Sequence, residues 1–215
     1  MPSSHHCHQP LPLDHPILTQ SFAQIDREVG AHGLTAQEYA IARRIIHTTA
    51  DFEYLDLLNV SPTAIAVALQ ALRAGTTIVT DVSLVRQGIL SLVAKTFNNP
   101  ILTALDFAPE AEAGKTRTET GMLRCWAQYP RAIYVIGNAP TALLALCHEL
   151  STLSPHLPRP PLIIGAPVGF VSVLESKQAL TRLPVPQIVI GGRKGGSTVA
   201  AAIVNALLIL AYQEN

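Results

Sequence analysis

The side chains able to do chemistry fall at a few places in this chain. His47 stands in Arg43-Arg44-Ile45-Ile46-His47-Thr48-Thr49-Ala50-Asp51, near the end of a predicted helix. The carbonyl end of a helix favours a protonated imidazole, and nearby Asp51 and Glu53 can do the same. A histidine held partly charged near neutral pH is a suitable proton donor. A polar helix end carrying an exposed histidine has the same local sequence, so both readings stand. Arg117, after Gly114-Lys115-Thr116, precedes another predicted helix and reads as an anion or carbonyl clamp or as a solvated loop cation.

Three predicted strands run straight into glycine-bearing loops. Ala132–Ile136 leads into Gly137-Asn138-Ala139-Pro140-Thr141, and Leu162–Ile164 into Gly165-Ala166-Pro167-Val168-Gly169-Phe170. Gln187–Ile190 leads into Gly191-Gly192-Arg193-Lys194-Gly195-Gly196-Ser197. Glycine lets a backbone approach a ligand closely, and the N–H groups that open the next helix form an anion site. Any one such loop is equally a simple turn. Three of them, with Arg193 and Lys194, favour a large ligand bearing several acidic groups. Asn138, Arg193, Gly195, Gly196 and Ser197 are therefore candidate ligand-binding positions. The last loop lacks the G-x-x-x-x-G-K-[ST] order, and no G-x-G-x-x-G opens the first βα unit, so a nicotinamide or flavin cofactor has no support; a G-x-S-x-G hydrolase elbow is absent too.

These loops need elements to hold them. Apolar positions Tyr39, Ala42, Ile45, Ile46 and Thr49 recur at helical spacing, and Thr35 with Glu38 reads as a capping box. Helices are also predicted over Pro62–Ala74, Ser83–Ala94, Glu119–Ala127, Pro140–Leu150, Val171–Leu180 and Ser197–Ala211. Between them Thr76–Val82 and Ile101–Phe107 join the three strands above. Alternating helices with continuous apolar strands imply one α/β domain over residues 16–215: a predominantly parallel sheet flanked by helices on both faces. Ligands of such sheets bind at the loops beyond the strands' carboxyl ends. Residues 1–15 read as a flexible tail; His5, His6, Cys7 and His8 there either catch a stray transition metal or are incidental.

Only 14% of the 215 residues are charged, and 48% are hydrophobic, which points to extensive burial or a homo-oligomer. Fifteen basic residues balance fifteen acidic ones at a pI near 7.1, against a nucleic-acid surface. The apolar run Val199–Tyr212 carries Asn205 and is too short to span a bilayer. Cys7, Cys125 and Cys147 make an odd count without C-x-x-C spacing, and no secretion pattern opens the chain; a cytoplasmic, reducing location is expected.

Several strings, in order, resemble the precorrin-8X methylmutase family. They are Ser21-Phe22, Ile46-His47, Asp81 within IVTDVSLVRQGI, Thr116-Arg117, GNAPTAL from Gly137, PVGFV from Pro167, Glu175-Ser176-Lys177, Gly192-Arg193, Gly195-Gly196-Ser197 and Asn205-Ala206-Leu207. The resemblance spans about residues 16–212. Two positions depart from it: Gln20 stands where the family often has arginine, and Leu84 where it often has methionine.

The resemblance implies a homodimer with its active site at or near the subunit interface. It implies migration of a methyl group from C-11 to C-12 of precorrin-8X or cobalt-precorrin-8 during cobalamin synthesis, giving hydrogenobyrinate or its cobalt-containing equivalent. The histidine matching His47 would be the acid. Ser21, Thr116, Arg117 and Arg193 fall among the family's ligand-contacting loops. Such a shift asks for no metal or cofactor from the protein. Two other classes stay open: a corrinoid carrier that has kept the fold and lost turnover, and an unrelated α/β enzyme with a phosphate ligand.

Overall fold

A computed structural model describes residues 16–154 and 156–214; the histidine-rich segment lies outside them. The elements in chain order are α1 (Pro16–Val29), α2 (Ala36–Thr49), α3 (Tyr54–Leu57), β1 (Leu58–Val60), α4 (Ala64–Arg73), β2 (Ile78–Thr80), α5 (Ser83–Lys95) and β3 (Ile101–Thr103). After a 3₁₀ turn at Ala104–Phe107 come α6 (Arg117–Gln128), β4 (Ile133–Ile136), α7 (Pro140–Thr152), β5 (Ile163–Gly165), α8 (Val173–Thr181), β6 (Gln187–Ile190) and α9 (Ser197–Gln213).

The six strands line up as β1-β6-β5-β4-β2-β3, all parallel except β1, which pairs antiparallel with β6. Alternate side chains serve two cores. Ile78, Ile133, Val135, Ile164 and Ile188 join the layer of α2, α4, α5 and α9; Val79, Tyr134, Ile136, Ile163 and Val189 join the layer of α6, α7 and α8. Burial on both faces explains why the strands are apolar without alternation. α9 is apolar nearly all round because it lies between the sheet and α2, α4 and α5. Among the described residues no helix is long and apolar enough to cross a membrane.

Several features differ from expectation. The strand predicted over Ile101–Phe107 ends at Thr103, because β3 is an edge strand with no further neighbour. The carbonyls of Leu105, Phe107 and Ala108 bond instead to the guanidinium groups of Arg117 and Arg124. α6 begins at Arg117, earlier than predicted, with Thr116 and Glu119 closing a capping box. α1 was not foreseen: it buries only Ile25, too little to leave a strong apolar period.

Candidate active site

β2 is followed by a crossover to β3 on one side, and β4 by a crossover to β5 on the other, so the carboxyl ends of β2 and β4 flank the topological switch point. A ligand is expected in that crevice. Asp81, fully buried at the end of β2, occupies its floor. Its Oδ1 accepts from the N–H groups of Val82 (2.9 Å) and Gly137 (3.1 Å), and its Oδ2 from those of Asn138 (2.7 Å) and Ala139 (2.8 Å). Burial pushes this carboxyl above its ordinary range, and the four N–H donors oppose that. The anion site that the sequence suggests at residues 137–139 is thus filled by the protein's own carboxylate. What this loop offers outward is the exposed Asn138.

Beside it, the hydroxyl of Thr116, which caps α6, lies 3.0 Å from that of Thr141. Arg117 is exposed, but its Nε donates to the carbonyl of Ala108 at 3.0 Å and its Nη2 to that of Leu105 at 3.4 Å. Gly137 lies against the start of α9: a Cβ there would come 2.8 Å from Ser197 Cα. Ser197 and Gly196 are themselves buried. Thr116, Arg117, Asn138 and Ser197 therefore gather at one end of the sheet.

The loop between β6 and α9 is tied on all sides. Gly195 has φ +149, and a Cβ on it would sit 2.4 Å from the Ala166 carbonyl oxygen, so close loop-to-loop packing explains this glycine without a ligand. The Gly196 N–H donates to that same carbonyl at 2.8 Å, and the Gly169 N–H to the Arg193 carbonyl at 3.3 Å. Lys194 forms ion pairs with Asp51 (2.5 Å) and Glu53 (3.0 Å), and its hydrogen bond holds the Asp51 carboxyl below the ordinary range. The sequence suggests that Asp51 and Glu53 support a charged His47; in the fold they bond Lys194 instead, and they join the end of α2 to the loop carrying Arg193. Arg193 itself is exposed.

His47 is exposed on the last turn of α2, which closes on Ala50 in the left-handed region. The Phe22 ring meets it edge-on at 5.5 Å. A cleft of about 540 Å³ opens before it, walled by Ile17 and Leu18 of α1, Arg44 of α2, and Thr198, Ala201, Ala202 and Asn205 of α9. A second cleft of about 470 Å³, farther along α1, is shared by His47, Ser21 and Gln20. The structure thus brings His47 and Ser21 together. Neither Arg193 nor Asn138 lines these two clefts.

Sequence reading missed the α9 wall and Arg44, although both left a signal. Thr198, Ala201, Ala202 and Asn205 follow i, i+3, i+4, i+7 spacing, a stripe of small and polar residues on an otherwise apolar helix. Such a stripe leaves room where leucines would fill it. Arg44 lies three residues before His47 on α2 and so shares its face.

A mostly parallel sheet covered by helices, with its loops gathered at the carboxyl ends and an imidazole facing an open cleft, defines a doubly wound α/β enzyme. The family model described as precorrin-8X methylmutase matches residues 16–210. A cobalt-precorrin-8 methylmutase from Synechocystis sp. is 59% identical, over 95% of this chain and 99% of its own length. A precorrin-8X methylmutase from Pseudomonas aeruginosa is 38% identical over 89% and 93% respectively. The crystal structure of precorrin-8X methylmutase from Thermus thermophilus superposes with a TM-score of 0.83 at 39% identity, covering 93% of this chain and 99% of that one. The chain belongs to the precorrin-8X methylmutase family.

Proposed function

We propose that this chain moves a methyl group from C-11 to C-12 of precorrin-8X or cobalt-precorrin-8, with His47 as the acid. The observation that carries this reading is the exposed imidazole on the last turn of α2, facing a cleft of about 540 Å³ with apolar walls and Arg44 beside it. A flat macrocycle rimmed by carboxylates calls for apolar walls, cations and backbone N–H groups at the edge. Protonated His47 donates a proton, or a strong hydrogen bond, to a ring nitrogen or adjacent carbon. The receiving carbon becomes electron-poor, and the methyl migrates to it with its bonding electrons. The proton returns to His47 as conjugation is restored, so the product is an isomer. Holding the macrocycle in one conformation favours this migration over its competitors.

In this reading the macrocycle extends beyond the His47 cleft, which Arg193, Asn138, Thr116 and Arg117 do not line, so that these residues grip its acidic rim, with Gly195, Gly196 and Ser197 shaping the turn that carries Arg193. Replacing Arg193 by alanine should raise KM about tenfold to a hundredfold, the value of one charge-assisted hydrogen bond, and leave kcat within a few-fold. Arg117→Ala should also raise KM, together with a lower unfolding midpoint because two carbonyls lose their donor. Steady-state kinetics decide; an unchanged KM in both variants removes the rim-binding role.

The chain acts as a homodimer in this reading. Phe170 and Val171, 88% and 82% exposed on the loop after β5, together with Val168 and Leu174 form an apolar projection beside Arg193; a second copy that covers them also closes the site. Sedimentation should give twice the chain mass, and Phe170→Glu should shift it toward one. A purely monomeric wild-type protein at micromolar concentration would rule the dimer out. A cytoplasmic setting suits the buried free thiols of Cys125 and Cys147.

The direct test mixes purified protein with cobalt-precorrin-8, the substrate favoured by the name of the Synechocystis relative, and with precorrin-8X. Catalytic amounts should convert the absorption spectrum to that of a cobyrinate-type or hydrogenobyrinate product. A spectral change that stops at one equivalent of protein would make it a carrier.

A further inference from the structure

The mechanism above does not use Lys177, yet it is the lysine whose burial most needs explaining. It sits on α8, only 4% exposed, and forms no ion pair with a carboxylate among the described residues. Lysine is almost never buried without a partner, because removing its charge from water is costly. Its Nζ instead donates to the carbonyls of Gly192 (2.8 Å) and Lys194 (2.7 Å), the two residues on either side of Arg193. The carbonyl of Arg193 is taken by the Gly169 N–H. Three successive carbonyls are thereby held, at a point where Gly192 turns through φ +65. Burial pulls the Lys177 ammonium down to about 8, while its two carbonyl acceptors favour the charged form.

We propose that Lys177 is a positioning residue: by tying down the carbonyls that bracket Arg193, it fixes the backbone from which the Arg193 guanidinium meets an acidic group of the ligand. An ammonium suits this task because it carries three donors and no acceptor on a flexible stem, so one side chain reaches two carbonyls of a tight turn. A methionine of similar length fills the same space and supplies no donor. The inference rests on the reading of Arg193 as a rim-binding residue.

The test compares wild type, Lys177→Met, Arg193→Gln and the double variant in corrinoid turnover, with hydrogen exchange followed over residues 191–196. Lys177→Met should raise KM about tenfold with kcat within threefold, a split that general loosening of the fold would not produce. The double variant should be no worse than Arg193→Gln alone, since Lys177 acts through Arg193. Exchange at 191–196 should quicken while the strands keep their protection. If Lys177→Met does not fold, Lys177→Leu, which is also apolar and supplies no donor, is read in the same way. KM effects that multiply in the double variant, or wild-type exchange at 191–196 in the folded Lys177 variant, overturn the proposal. An unchanged KM in Arg193→Gln instead defeats the ligand role of Arg193, and the exchange measurement still decides whether Lys177 tethers the loop.

Discussion

His47→Ala should lower turnover of the corrinoid substrate by at least a hundredfold and by as much as about 10⁴-fold, the usual worth of a positioned general acid. That range corresponds to about 3–5 kcal/mol of transition-state stabilisation. Binding should survive. The exposed imidazole does not help to fill either core, and the cleft walls from α1 and α9 do not depend on it. The two effects are read separately, by single-turnover spectra for chemistry and by equilibrium titration with product for affinity. His47→Gln keeps a hydrogen-bond donor but cannot transfer a proton at neutral pH, so it should fall close to His47→Ala if proton transfer matters. A glutamine variant near wild-type rate would reduce the role of His47 to hydrogen bonding. An alanine variant near wild-type rate would sink the acid assignment altogether.

The second large effect is expected at Asp81. Asp81→Asn preserves shape, so packing is constant and only the hydrogen-bond pattern changes. Both carboxylate oxygens accept two backbone N–H groups; an amide NH₂ in place of either oxygen would set donors against donors. Losing two charge-assisted bonds costs on the order of 3–6 kcal/mol. At roughly 2–4 °C per kcal/mol for a protein of this size, the thermal midpoint should drop by about 6–24 °C. Surface variants such as Asp106→Asn, away from such a network, should change stability by less than about 0.5 kcal/mol. Thermal unfolding followed by circular dichroism checks both. A wild-type midpoint in Asp81→Asn would show that the four N–H bonds to this carboxylate do not hold the loop.

Much of the fold was legible from local patterns. The capping box at Thr35 and Glu38 marks the start of α2, and the turn glycine at Gly75 marks the end of α4. The apolar runs of β4, β5 and β6 follow from burial on both sheet faces. Where local signals are weak, reading failed for physical reasons. α1 shows one face to the protein and buries one side chain. β1 has three residues and exists through its pairing with β6. The end of β3 depends on guanidinium groups from a later helix.

The site divides in the same way. Residue types and order alone determined the family resemblance, the candidate acid at His47 and the glycine-lined turns at the ends of three strands, because capping, periodicity and turn formation act over a few neighbours. Only the tertiary structure decided where each charge goes. Asp81 and the loop it binds are more than fifty residues apart, as are Asp51 and Lys194, and Lys177 reaches its carbonyls from another helix. A buried charge takes whatever donor or acceptor the packed chain brings within hydrogen-bonding distance, and that partner is set by the order of the strands.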